Sequence, residues 1–296
     1  MKNEVAYARL ALICSMCIWG TIGLLRRFLP VPSGFLAMVR GLLGAAFLLL
    51  LVRLRGEKLS RAAIRSNGWR LIVSGSMIGF NWILLFEAYR YTTVAIAELC
   101  YYMAPVFILI TAPFVIHERL TLRKLLCVIA ALLGIALVSD LVQTGFSGVG
   151  EWRGVLFGLA AAVLYACVVL LNKQIHDISA YDKTIVQIGV AGTVLIPYVL
   201  LTEDLSAIEF TPTVVILLLV AGLLHTGVAY ALYFGSMDAL SAHSLALMGY
   251  LDPVIAVLLS ALLLREPMTL SQAIGAVLVL CAAVIAELPE RPKPVT

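Results

Sequence analysis

Residues 98–121 read ELCYYMAPVFILITAPFVIHERLT, and residues 246–269 read ALMGYLDPVIAVLLSALLLREPMT. A shift of 148, half the 296-residue chain, places Leu99 on Leu247, Tyr102 on Tyr250 and Pro105-Val106 on Pro253-Val254. The same shift places Glu118 on Glu266, Thr121 on Thr269 and, further upstream, Gly79 on Gly227. A shift of 146 brings Trp19 onto Tyr165 and Arg27 onto Lys173. A chain that matches itself at half its length is built from two copies of one unit.

The composition says where those units sit. Apolar residues make up 62% of the chain and charged residues 13%, with a mean hydropathy of +1.04. Soluble domains hold about 25% charged residues, so the solvent here is a bilayer. Apolar runs bounded by charged or turn-forming residues fall near 7–25, 32–52, 69–90, 93–115, 122–139, 152–172, 182–201, 212–236, 242–263 and 269–287. Strand-like alternation is absent and the runs exceed the length of barrel strands, so all ten read as membrane helices. The tightest junctions lie near Tyr91 and Asp238. A span takes roughly 20 residues, and ten spans leave no room for a large extramembrane domain. Five spans per copy is an odd number, so the second copy, 152–287, enters the membrane upside down relative to the first, 1–139. Inverted repeats are characteristic of secondary transporters, with the substrate site near the midplane.

Of the 21 Lys and Arg, only Arg26, Arg27, Arg90, Arg153 and Arg265 fall in loops on one side, and Arg40 lies inside a run. The others crowd the opposite side, which predicts both termini in the cytoplasm. Trp69 and Trp152 stand at run ends, where interfacial Trp is expected. The net charge of +4 follows these loops and is no argument for nucleic acid. Six cysteines lie inside apolar stretches. Cys14 and Cys17 are i, i+3, but no second Cys/His pair has ligand spacing, so we read them as small packing residues. Lys2 and Arg9 precede an apolar run with no small-x-small cleavage site, which reads as a retained first span.

Five plus five spans, a proline in the fourth and ninth, and Glu-x-x-Thr after each (Glu118–Thr121 and Glu266–Thr269) resemble the EamA family of the drug/metabolite transporter superfamily. The likeness covers nearly the whole chain. It implies a ten-helix bundle in the cytoplasmic membrane that opens and closes around a central cavity, with members that mostly export small metabolites. It also implies that spans one, three, six and eight line the cavity, which points to Trp19, Asn81, Trp82, Phe86 and Tyr230.

Ionisable residues inside spans are costly and therefore functional candidates. Glu98, Tyr101, Tyr102 and Pro105 share one helical face by spacing. A carboxylate beside phenol rings suits an ammonium group; the alternative is a rim glutamate wetted by water or paired with Arg90. The ninth run repeats the element as Tyr250-Leu251-Asp252-Pro253, with Ala246 in place of Glu98. Asp252 reads as a proton carrier, a partner for Arg40, or a cap for backbone freed by Pro253. Pro105 and Pro253 read as kinks. Arg40 stays charged and would hold a substrate carboxylate or a structural ion pair; Gln187 is its counterpart in the seventh run. His225 is either a proton-coupling group or a neutral core histidine. Glu87 and Arg90 read as an outer pair. Glu118 and Glu266 read as structural, either capping the helix that follows or fixing the hairpin by a hydrogen bond. The spacings Gly75-x-x-x-Gly79 and Gly154-x-x-x-Gly158 permit close helix approach, inside one chain or in a homodimer.

The chain has no P-loop, zinc-protease helix or nucleophile elbow, and no metal or cofactor is expected. These readings predict a secondary transporter of a small amine-bearing or zwitterionic metabolite, amino acids foremost, working as an exporter. The alternatives are uptake of an organic cation, a passive channel, or an intramembrane enzyme that would need a dyad among His225, Asp252 and Glu98.

Overall fold

The computed structural model describes residues 2–115, 121–138, 151–237, 239–240, 245 and 248–288, and no strand occurs among them. The helices are α1 (Lys2–Gly20), α2 (Ile22–Phe28), α3 (Ser33–Leu54), α4 (Arg61–Ser66), α5 (Gly68–Tyr91), α6 (Val94–Tyr101) and α7 (Ala104–Val115). They continue as α8 (Leu122–Val138), α9 (Glu151–Asn172), α10 (Ala180–Thr202), α11 (Pro212–Leu219), α12 (Ala229–Met237), α13 (Leu251–Leu262) and α14 (Leu270–Glu287). A π-helical stretch, Val220–Val228, joins α11 to α12. Seven segments are long and apolar enough to cross a membrane: 4–28, 33–54, 68–91, 94–111, 152–172, 180–202 and 212–236. Residues 125–137, 251–262 and 270–282 form shorter apolar helices. Glu118, Asp238, Ala246 and the start of the ninth run lie outside the described residues.

Polarity is partitioned as a bilayer requires. Leu54, Leu201, Leu262 and Leu270 are all more than two-thirds exposed, whereas Arg40, Asn81, Glu98, Gln187 and His225 are buried. A side chain costs most where it meets the wrong solvent, and here the apolar face is the outer one.

Among the described residues, four runs expected as single helices are interrupted, the ninth at Tyr250. The first breaks at Thr21, whose hydroxyl donates to Ile18 O at 2.7 Å. The fourth breaks at Tyr102–Met103, where Met103 N turns back to Cys100 O. Pro105 is therefore no kink in a continuous helix; it sits in the first turn of α7, where its missing N–H costs nothing. Pro253 occupies the first turn of α13 in the same way. A proline ring clashes with the carbonyl four residues back, so ending one helix and starting another is the cheaper solution. In the eighth run, His225 Nδ1 lies 3.2 Å from Val220 O and Thr226 Oγ1 donates to Ala221 O at 3.1 Å. Both contacts reach five residues back, the spacing of the π-helix they accompany.

Helix α3 packs on α10, α5 on α9 and α10, α8 on α14, and α1 on α12 and α13. The approach of α3 to α10 rests on two small residues: a Cβ on Gly41 would stand 2.9 Å from Gly192 N. Gly75, Gly79 and Gly158 likewise meet helices of the same chain, and Gly154 meets Thr92 in the turn between α5 and α6.

Candidate functional site

The broken runs bring polar groups to the middle of the bundle. Arg40, in α3, is 5% exposed. Its guanidinium lies 4.3 Å from the centre of the Trp82 ring and 5.5 Å from that of Phe86. Its Nε donates to Thr226 Oγ1 at 3.1 Å, and among the described residues it forms no ion pair. The partnership with Asp252 considered from the sequence is thus replaced by an aromatic bed and a neutral hydroxyl. The three- and four-residue spacing of an α-helix could not reveal Thr226, because it lies in the π-helical stretch.

Glu98 is 3% exposed. It accepts a hydrogen bond from Tyr89, so neither the wetted rim nor the pairing with Arg90 holds. Arg90 instead pairs with Glu87 at 2.9 Å. Tyr89 was not among the sequence candidates. It resembles an interfacial aromatic near a run end, and only the two-residue turn at Thr92–Thr93 folds α6 back against it. Phe86 links the two charges in space: it lies under Arg40, and its ring centre is 6.3 Å from that of Tyr89.

Asp252 accepts from the hydroxyl of Tyr102 at 3.1 Å. The backbone carbonyl of Asp252 also abuts α1, where a Cβ on Gly20 would stand 2.8 Å from it. Tyr102 stacks obliquely with Tyr250 at 6.3 Å, and Tyr101 contacts Tyr102 and Tyr165 at 6.2 and 5.6 Å. Trp19 meets Tyr230 at 4.9 Å and donates its indole N–H to His225 O at 2.9 Å. His225 Nε2 lies 2.8 Å from Thr21 Oγ1. Aromatic rings from both halves of the chain therefore surround two carboxylates and one guanidinium.

Other candidates also make contacts between helices, and Asn81 Oδ1 accepts from the hydroxyl of Tyr101 at 3.5 Å. Asn81 Nδ2 donates to Ala161 O at 2.5 Å. Gln187 donates to Ser74 and Asn172, both at 2.6 Å, away from Arg40. Glu266 does not cap the following helix. Thr269 and Gln272 perform that task as a capping box. Glu266 instead pairs with Arg27 at 2.6 Å, accepts from Val94 N at 3.0 Å and from Ser260 Oγ. Arg265, at φ +52°, turns the chain so that Glu266 N reaches Ser260 O at 3.1 Å. Among the described residues, no three His, Cys, Asp or Glu side chains form a metal-binding group.

A multi-pass helical membrane protein with a polar, aromatic-lined interior defines the class, and comparison with known sequences specifies it. The model of the EamA-like transporter family matches residues 7–140 and again 152–287. The chain belongs to that family, within the drug/metabolite transporter superfamily. It is 29% identical to the uncharacterized transporter YxxF of Bacillus subtilis (strain 168), over 94% of this chain and 88% of the relative. It is 26% identical to Protein PecM of Dickeya dadantii (strain 3937), over 92% and 89%. One solved crystal structure superposes with a TM-score of 0.64 at 20% identity, covering 95% of this chain and 96% of the other; that likeness concerns the fold. YxxF is named as a transporter, and the chain is a membrane transporter of the EamA-like family.

Proposed function

We propose that this chain is a secondary transporter of small zwitterionic metabolites, amino acids foremost, working by alternating access in the cytoplasmic membrane. Its architecture on this reading is ten spans in two inverted five-span repeats, with both termini inside. The packing supports that reading. The contact of α3 with α10 joins the second run to the seventh, and that of α8 with α14 joins the fifth to the tenth. The contact of α5 with α9 has its counterpart in that of α12 with α1. An axis exchanging the repeats predicts this pairing. Loops expected on a common face also meet: Glu203 binds Gly34 N, and Asp182 binds Ser60 N on the other.

The observation that carries the cargo assignment is Arg40. A buried guanidinium without an acidic partner is stable only if something anionic or wet visits it, and Arg binds carboxylate with two parallel donors. Glu98 and Asp252, backed by tyrosines, supply the opposite pole for an ammonium group or a proton. His225 is a third proton candidate. Export follows the family likeness.

Counterflow of labelled amino acids and simple amines into proteoliposomes tests the reading. Saturable exchange of amino acids is expected, with an Arg40→Gln protein weakened for amino acids and not for amines lacking a carboxylate. Equal loss for both classes, in a protein that stays folded, would remove the carboxylate role.

A further inference from the structure

A cavity of about 500 Å³ opens on the end of the bundle that carries the α2–α3 turn. Arg26, Arg27 and Arg90 line it together with Tyr89, Pro30, Pro32 and Asp204. Two of the three arginines are neutralised, Arg27 by Glu266 and Arg90 by Glu87. Arg26 is different. It is 7% exposed and, among the described residues, forms no ion pair. Its Nη1 donates to Leu29 O at 2.6 Å and its Nη2 to Ser33 Oγ at 3.3 Å, both neutral acceptors. Its Nε is buried and has no hydrogen-bond partner.

A buried cation with an orphaned donor on the wall of an open cavity is an incomplete arrangement. Neutral acceptors do not offset the desolvation of a guanidinium, and an unmet buried donor is a further cost. Glu87 and Glu203 act on Arg26 only through space, being bound to Arg90 and to the Gly34 and Phe35 amides. Asp204 lies on the same wall, but it is fully solvated and turned to Ser206, accepting from its backbone N–H at 3.0 Å.

From this geometry we infer that the cavity is an oxyanion site, which takes a carboxylate or a phosphate group against Arg26 with Arg90 and Arg27 at its edge. Tyr89 is shared between its wall and Glu98, so the site adjoins the buried carboxylate of Glu98. That it serves as the outer station for a substrate carboxylate rests on the transport reading above; that it binds an oxyanion does not. The same chemistry is supplied by a free acid or by the phosphate of an outer-leaflet lipid.

The test is thermal unfolding of the purified protein in phosphatidylcholine nanodiscs, titrated with succinate or inorganic phosphate against sodium chloride of equal ionic strength. Saturable stabilisation is expected with either oxyanion. Arg26→Gln should weaken it about tenfold, the value of one charge-assisted bond. Because that variant also loses the contact with Leu29 O, Asp204→Asn provides the second arm. It removes the exposed carboxylate at the rim, leaves the packing alone, and should tighten binding about threefold, in line with one screened surface charge. Nanodiscs containing phosphatidylglycerol distinguish the sources: loss of the succinate response there assigns the site to a lipid phosphate, and a preserved response assigns it to free acids. A response no different from chloride, or one unchanged in both variants, would overturn the site while leaving counterflow intact.

Discussion

The Tyr102 hydroxyl and the Asp252 carboxylate meet at 3.1 Å, and each residue stands where its run is broken. Tyr102 closes α6, and Asp252 is the second residue of α13. The bond therefore joins the loose ends of two broken helices. The phenol engages one oxygen of the carboxylate, and the other retains its own acceptor sites.

A double-mutant cycle over Tyr102→Phe and Asp252→Ala should give a coupling of about 1 kcal/mol in stability, the usual net value of one hydrogen bond. Asp252→Asn alone should remain folded, since its carbonyl still accepts from Tyr102. If proton coupling runs through Asp252, the same variant loses the response of counterflow to a pH gradient; an unchanged response moves that role to Glu98 or His225.

Arg40 tests the difference between a charge and a fork. Lys carries the charge but cannot lie flat on Trp82 and Phe86 or donate from Nε to Thr226. Arg40→Lys should raise the amino-acid KM about tenfold, the cost of one bidentate interaction reduced to a point charge. A wild-type KM in Arg40→Lys would show that charge alone suffices.

How much of this was legible beforehand depends on the distance over which each signal acts. Apolar runs and the repeat are written in consecutive residues, so the helical membrane character and the family were readable. Buried ionisable groups were readable as Arg40, Glu98 and Asp252 because a charge in an apolar run is conspicuous by itself. Their partners were not. Tyr89 looks like any tyrosine near a run end until the turn at Thr92–Thr93 is known, and Thr226 points by π-helical geometry. Arg26 and Arg27 read as a pair of loop charges, yet one is clasped by Glu266 from the far end of the chain and the other has no acid in contact among the described residues. Hydropathy also concealed the breaks at Thr21 and Tyr102, since a broken helix and a continuous one have the same composition.

Glu266 binds three groups from one buried position, so its removal and that of its ionic partner should differ. Glu266→Ala leaves Val94 N and Ser260 Oγ without their acceptor and should cost about 2–3 kcal/mol. Arg27→Gln loses a partly exposed ion pair, with Arg27 31% exposed, and should cost under about 1 kcal/mol. Equal costs, by thermal unfolding in detergent, would make the ion pair and not the amide cap the centre of this clasp.

The α3–α10 contact predicts a steric effect. Gly41→Ala places a methyl 2.9–3.0 Å from the Gly192 backbone, and two helix backbones cannot step aside as a side chain can. A loss of about 1–3 kcal/mol is expected. Gly189→Ala, whose added Cβ would meet Ala45 at an ordinary 3.7 Å, is the control and should be near neutral.

Glu203 offers a pH test outside the spans. Its two oxygens accept from Gly34 N at 2.7 Å and Phe35 N at 2.8 Å, the first orphan amides of α3. Burial raises its carboxyl above the ordinary 4.5, while those amides and Arg26 pull it down. The raised value means that the folded chain holds this proton more tightly than the unfolded chain. Its contribution to stability is thus greatest below about 4.5 and declines as pH rises through the folded value. Glu203→Gln keeps one acceptor, cannot titrate, and should flatten that decline in the pH profile of thermal unfolding. Glu203→Ala should flatten it equally and lower stability by about 1 kcal/mol at every pH, because both amides lose their cap. An unaltered pH profile in the glutamine variant would show that the Gly34 and Phe35 amides outweigh burial at this carboxylate.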